Sequence, residues 1–210
     1  MSDLLALSGI LAAMFIGAVS PGPSFVLVSR IAITSSRKAG LAAALGMGLG
    51  GFIFATLAVA GLTAMLLKVQ WLYVLLKLAG GAYLLYLAWA IWRGANDSLH
   101  VSNDKSPAYS PARSFKTALV VQLSNPKTAI VYASIFAAML PSDPAGWLLV
   151  AIPVLVSIVE ASWYAVVAFV FSAEKPQSIY LKSKSLIDRT AGAVIGILGT
   201  RLVFEAFNGR

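Results

Sequence analysis

The chain has no cysteine, a single histidine and only 11% charged residues among its 210. Each shortage removes a class of function. Without cysteine there is no disulfide framework and no thiol redox chemistry within the chain. No Walker A motif, Rossmann glycine fingerprint or metal-ligand cluster is visible, so neither a cofactor nor a metal is expected, and ATP-driven work by this chain alone is disfavoured. No nucleophile, base and orienting group can be assembled into a set, so the sequence does not read as an enzyme. A soluble domain carries roughly 25% charged residues, and this chain falls far below that. The N-terminus carries Asp3 and no Lys or Arg before the first apolar run, so it lacks the basic leader of a signal peptide and the run reads as a retained span. His100 stands in a polar stretch and is assigned no role.

What remains is hydrophobic: 59% of the residues, the composition of an integral membrane protein. The net charge of +8 is then explained by loops facing anionic lipid, and nucleic acid is not expected as a partner. Six apolar segments can be marked: about Leu4 to Ser29, Gly40 to Leu67, Trp71 to Trp92, Thr117 to Leu140, Trp147 to Phe171 and Thr190 to Phe207. Each is near the ~20 residues that cross a bilayer as a helix. Polar stretches from Arg93 to Lys116 and from Glu174 to Arg189 separate them. Arg30, Arg37 and Lys38, then Arg93, Lys105, Arg113 and Lys116, then Lys175, Lys182, Lys184 and Arg189 all fall on one face of the membrane. They are most of the 16 Lys and Arg. By the positive-inside rule that face is cytoplasmic and both termini are on the outer side.

Two of the six segments are broken. Ser20-Pro21-Gly22-Pro23 interrupts the first and Ser124-Asn125-Pro126-Lys127 the fourth. Proline loses a backbone donor and clashes with the preceding helical turn. When Pro21 is aligned with Pro126, Gly40 and Ala145 follow polar turns at the same offset. Ala79-Gly80-Gly81-Ala82 and Ala191-Gly192-Ala193 then open segments three and six. Three helices per half would set the halves in opposite polarity. The expected fold is therefore an all-α, six-helix bundle of two inverted three-helix repeats with helices one and four broken. The single transmembrane domain would comprise a first repeat over about 1–93, a cytoplasmic loop over about 94–116 and a second repeat over about 117–210. In such architectures the binding site lies at the breaks. GxxxG spacings at Gly46/Gly50 and Gly192/Gly196 suit close helix packing, a homodimer or a sliding surface.

The breaks carry the candidate chemistry. Ser20 can cap a helix that restarts at Pro21, and Gly22 would let a ligand approach the backbone. The same holds for Ser124 or Asn125 with Pro126. Helix N-termini present unpaired N–H groups and partial positive charge, which favour a carboxylate. Lys127 adds a full charge, unless it merely snorkels to the interface. Glu160 is the only carboxylate well inside an apolar segment. Low dielectric disfavours its charged form, so it could load and release a proton; alternatively it pairs with Lys127 or with a substrate ammonium. Tyr164 lies one turn on, and Gln122, Ser24 and Ser157 are candidate polar lining. The competing expectations are a packing kink at Ser20-Pro21-Gly22-Pro23 and a purely structural ion pair at Glu160.

With these residues in place, the chain resembles the LysE/RhtB family of bacterial amino-acid exporters. The resemblance rests on Ser20-Pro21-Gly22-Pro23, on the glycine-rich segment after Arg37-Lys38-Ala39-Gly40, and on Lys77-Leu78-Ala79-Gly80-Gly81-Ala82-Tyr83-Leu84-Leu85-Tyr86-Leu87-Ala88 with Trp92-Arg93. It continues through Asn125-Pro126-Lys127 and the acidic residue Glu160. It covers nearly the whole chain in order. The resemblance implies a six-helix inner-membrane protein that exports amino acids or related small metabolites, driven by the proton gradient. The alternative from another class is a membrane structural or assembly subunit without transport activity. The expected substrate-binding residues are Ser20, Pro21, Gly22, Pro23, Asn125, Pro126, Lys127 and Glu160, with Glu160 coupling to protons. The partners are an amino-acid-like substrate, protons and membrane lipid.

Overall fold

The computed structural model describes residues 3–20, 22–68, 70–97, 109–141 and 143–207. Every regular element among them is helical: α1 (Asp3–Val19), α2 (Pro23–Thr34), α3 (Arg37–Lys68), α4 (Gln70–Arg93) with a short 3-10 turn at Gly94–Asn96, α5 (Pro111–Leu123), α6 (Pro126–Met139), α7 (Gly146–Phe171) and α8 (Glu174–Phe207). Among the described residues four stretches are long and apolar enough to cross a membrane: Arg37–Leu62, Val74–Asn96, Gly146–Phe171 and Ser178–Phe207. Helices α1 and α2 qualify together as a fifth span, bent by 59° at their junction. The protein is thus a multi-pass helical membrane protein.

The breaks follow from local chemistry. Pro23 stands in the first turn of α2, where its missing N–H has no helical partner to lose. Pro126 does the same for α6. Helix α6 has 14 residues, about 21 Å at helical rise, which falls short of a ~30 Å hydrocarbon layer by itself. Helix α8 corrects one expectation. It begins at Glu174, so the polar stretch up to Arg189 is helical and continuous with the last apolar segment. Charged residues on one helix face do not stop a helix; only proline, glycine or a competing cap does so reliably. Likewise α5 starts at Pro111, where Ser110 caps the Arg113 amide.

Helix α3 is the central post, and its glycines set the spacing around it. A Cβ on Gly46 would run into the Phe115 carbonyl of α5. A Cβ on Gly48 would sit 2.7 Å from the Ala161 Cβ and 2.9 Å from the Ser157 carbonyl of α7. Gly50 meets Gln122 of α5, and Gly51 meets both Glu160 of α7 and Tyr132 of α6. On the other side, a Cβ on Gly81 of α4 would sit 3.1 Å from the Gly199 carbonyl of α8, and one on Gly80 would meet Ser134 of α6. Without a hydrophobic force between helices in lipid, such close approach supplies the dispersion contact that holds them. Two apolar clusters fill the remaining space, one around Ile10, Leu84, Phe136 and Ile152, the other around Phe25, Met47, Val167 and Phe171.

Overpacking at Gly48 should therefore be costly. Gly48→Val is expected to lose about 1–3 kcal/mol of stability, read as a lower melting temperature of the detergent-solubilised protein. Gly61→Ala, where an added Cβ meets nothing within 4 Å, should leave it unchanged.

Candidate functional site: a polar cavity between two helix breaks

The two breaks border one cavity. Its walls come from α1 (Met14, Gly17, Ala18), the first break (Ser20, Gly22, Pro23) and Ser24 of α2. The rest is Gln122 of α5, Asn125 at the second break, Lys127, Thr128, Val131 and Tyr132 of α6, and Glu160 and Tyr164 of α7. The enclosed volume is about 50 Å³, room for roughly three or four waters.

Helix starts put the polar groups there. The helix after the first break is not capped by Ser20, as the sequence suggests. Gly22 holds the N-cap position in an extended conformation (φ −147°, ψ −172°), no side chain caps it, and α2 restarts at Pro23. The second of two closely spaced prolines suits the first helical turn, because its φ is preset and its lost donor costs nothing there. At the second break Asn125, not Ser124, is the cap: its Oδ1 accepts from the Lys127 amide at 3.0 Å. The first turns of both helices therefore begin at the cavity, where their remaining amides lack intrahelical partners.

A chain of hydrogen bonds crosses the site. Ser24 Oγ donates to Gln122 Oε1 at 2.8 Å, and Gln122 Nε2 donates to Glu160 Oε2 at 2.7 Å. Gln122 is 1% exposed and Glu160 4%. The Glu160 carboxylate and the Tyr132 hydroxyl each stand 2.8 Å from the point where a Cβ on Gly51 would be, so only glycine leaves room for both. Lys127 approaches from the other side. Its Nζ lies 3.3 Å from the same construction on Gly22, so the ammonium of the second break rests against the backbone of the first. No ion pair joins Lys127 to Glu160 among the described residues; the carboxylate takes the Gln122 amide instead.

Of the residues singled out in the sequence, Ser20, Gly22, Pro23, Asn125, Lys127 and Glu160 line this one cavity. Pro126 begins α6 beside it without lining it, and Pro21 lies outside the described residues. Gln122, Ser24 and Tyr164 line the cavity; Ser157 does not, its carbonyl being taken up in the packing of Gly48. Tyr132 and Thr128 were not foreseen. Their signal was available in the helical period, since Thr128 and Tyr132 share a face one turn apart.

The class defined by these features is a multi-pass helical membrane protein with a polar, charge-lined cavity where two helices break. The chain belongs to the LysE type translocator family, whose profile matches residues 15–206. It is 30% identical to the threonine efflux protein of Salmonella typhi over 189 residues, 89% of this chain and 92% of that protein. It is 29% identical to the threonine efflux protein of Escherichia coli (strain K12) over the same shares. The uncharacterized membrane protein YahN of Escherichia coli (strain K12) is 27% identical over 91% of this chain and 86% of its own length. No solved structure gives a significant match.

Gln122 satisfies two buried groups at once, so its removal should be felt. Gln122→Ala strands the Ser24 hydroxyl and the Glu160 carboxylate, and is expected to cost about 1–3 kcal/mol in chemical unfolding of the solubilised protein. Glu160→Gln, which keeps an acceptor in place, should cost less.

Proposed function

We propose that the chain is a secondary active exporter of amino acids or closely related small metabolites across the bacterial inner membrane, working by proton antiport. The observation that carries this reading is the presence of Lys127 and Glu160, unpaired with each other, on the walls of one cavity bordered by both helix breaks. A zwitterion brings one charge for each. Its carboxylate would lie against Lys127 and the opening turns of α2 and α6, where helix N-termini favour anions. Ser20, Gly22, Pro23 and Asn125 line that half of the site, and Pro126 starts α6 beside it. Its ammonium would lie at Glu160.

Coupling follows from competition at one carboxylate. Glu160 holds either the substrate ammonium or a proton, so the carrier crosses in one direction with substrate and returns with a proton. L-threonine is the first substrate to test, because the curated relatives named above are threonine efflux proteins.

The working architecture is six spans in two inverted halves, about 1–93 and 117–210, joined by a cytoplasmic loop over about 94–116, with both termini outside and membrane lipid around the bundle. Packing supports it. Helix α3 packs most extensively on α7 and α4 on α8, so the helices that an inverted repeat would make equivalent lie against each other. The GxxxG spacing at Gly192/Gly196 lies in the contact of α8 with α4. A homodimer, if formed, would use another face.

In proteoliposomes loaded with radiolabelled threonine, an inward proton gradient should drive efflux by the wild type. Glu160→Gln should lose the dependence on the gradient. Lys127→Gln should raise the KM for threonine about 10- to 100-fold, the worth of a charge-assisted hydrogen bond. Full gradient-driven efflux by Glu160→Gln would overturn the proton role, and an unchanged KM in Lys127→Gln would overturn the carboxylate site.

A further inference from the structure

One buried charge near the cavity is left half used. Asp188 of α8 is 4% exposed. Its Oδ2 accepts from Lys184 Nζ at 2.8 Å. Lys184 also donates to the Gly94 carbonyl at 3.0 Å, which ties this part of α8 to the 3-10 turn at the end of α4. Ser185 Oγ, donating to Asn96 Oδ1 at 3.0 Å, strengthens the tie. The other oxygen, Asp188 Oδ1, is buried without a hydrogen-bond partner. A buried carboxylate oxygen left open is costly unless something fills it in another state of the protein.

Asp188 also acts electrostatically on Lys127 and on the Tyr180 hydroxyl. Lys127 has no carboxylate within ion-pair distance among the described residues. Its ammonium rests against Gly22 in the cavity. Two opposite charges, one with an open oxygen and one with an open ammonium, thus stand close without touching. The four-carbon stem of a lysine lets its ammonium change position by a change of rotamer.

This matters for the transport cycle. A carrier that has released its substrate must recross the membrane, and a buried cation without a counter-charge opposes that step. We propose that Asp188 is the positioning residue for Lys127: it takes the ammonium when the substrate carboxylate leaves and gives it up when substrate binds. The inference rests on the reading of Lys127 as the carboxylate site. It goes further by assigning a separate counter-charge to the empty carrier. Lys184 and the carbonyl of Gly94 hold Asp188 in place, so it is the lysine that moves.

Two transport modes separate these roles. Homoexchange, with threonine on both sides of the vesicle, never requires an empty carrier to cross. Net efflux always does. In proteoliposomes normalised to protein content, Asp188→Asn is expected to reduce net threonine efflux at least tenfold while homoexchange stays within about twofold of wild type. Asp188→Glu, which keeps the charge, should restore net efflux. Homoexchange also reports folding, so a variant that is merely unfolded loses both modes. Equal loss of both modes by an Asp188→Asn protein whose melting temperature in detergent matches the wild type, or loss of neither, overturns the inference. So does failure of Asp188→Glu to recover efflux that Asp188→Asn has lost. Failure of the underlying site is read elsewhere: Lys127→Gln would then retain homoexchange with an unchanged KM.

Discussion

A helix that stops partway through a membrane must hand its freed backbone groups to something other than lipid. That constraint organises the rest of the molecule. Proline ends the first and the fourth apolar segments, and the helices that restart at Pro23 and Pro126 direct their opening turns at one shared space. The surrounding helices wall it off. Glycines on α3 bring α5, α6 and α7 close enough that Gln122, Tyr132 and Glu160 reach the space with their polar ends. The close packing is thus a consequence of having a polar interior to enclose.

Within that space the decisive feature is a pairing that does not occur. Lys127 and Glu160 would neutralise each other if they met, and a site closed on itself has little to offer a zwitterion. Instead the Gln122 amide donates to one carboxylate oxygen, and Ser24 donates to the amide oxygen from behind. Lys127 is drawn to the opposite wall, against Gly22. The arrangement leaves a lysine ammonium and a glutamate carboxyl group on the walls of one cavity without an ion pair between them.

Much of this was legible in the sequence, for physical reasons. Apolar runs near twenty residues report spans, and paired prolines within them report breaks, because both signals are local. Glu160 stands out as a lone acid in an apolar run. What was not legible depends on contacts between distant segments. The cap at Gly22 in place of Ser20 is a choice between two neighbouring prolines that only the three-dimensional course of the chain decides. The helical start of α8 at Glu174 was hidden by its polar residues, some of which have tertiary partners: Lys184 the Gly94 carbonyl and Ser185 the Asn96 side chain. Tyr132 reads as one more aromatic in an apolar helix until Gly51 and Glu160 are placed beside it.

The central claim is that the cavity recognises both ends of an amino acid at once. The most direct measurement is the thermal stability of the purified wild-type protein against a panel of amino acids. The most stabilising member is then compared with its amino-alcohol analogue, which lacks the carboxylate, and its 2-hydroxy-acid analogue, which lacks the amine. At least one amino acid should raise the melting temperature, and neither analogue should do so at the same concentration. Equal stabilisation by either analogue, or no stabilisation by any amino acid in the panel, would contradict recognition by Lys127 on one wall and Glu160 on the other.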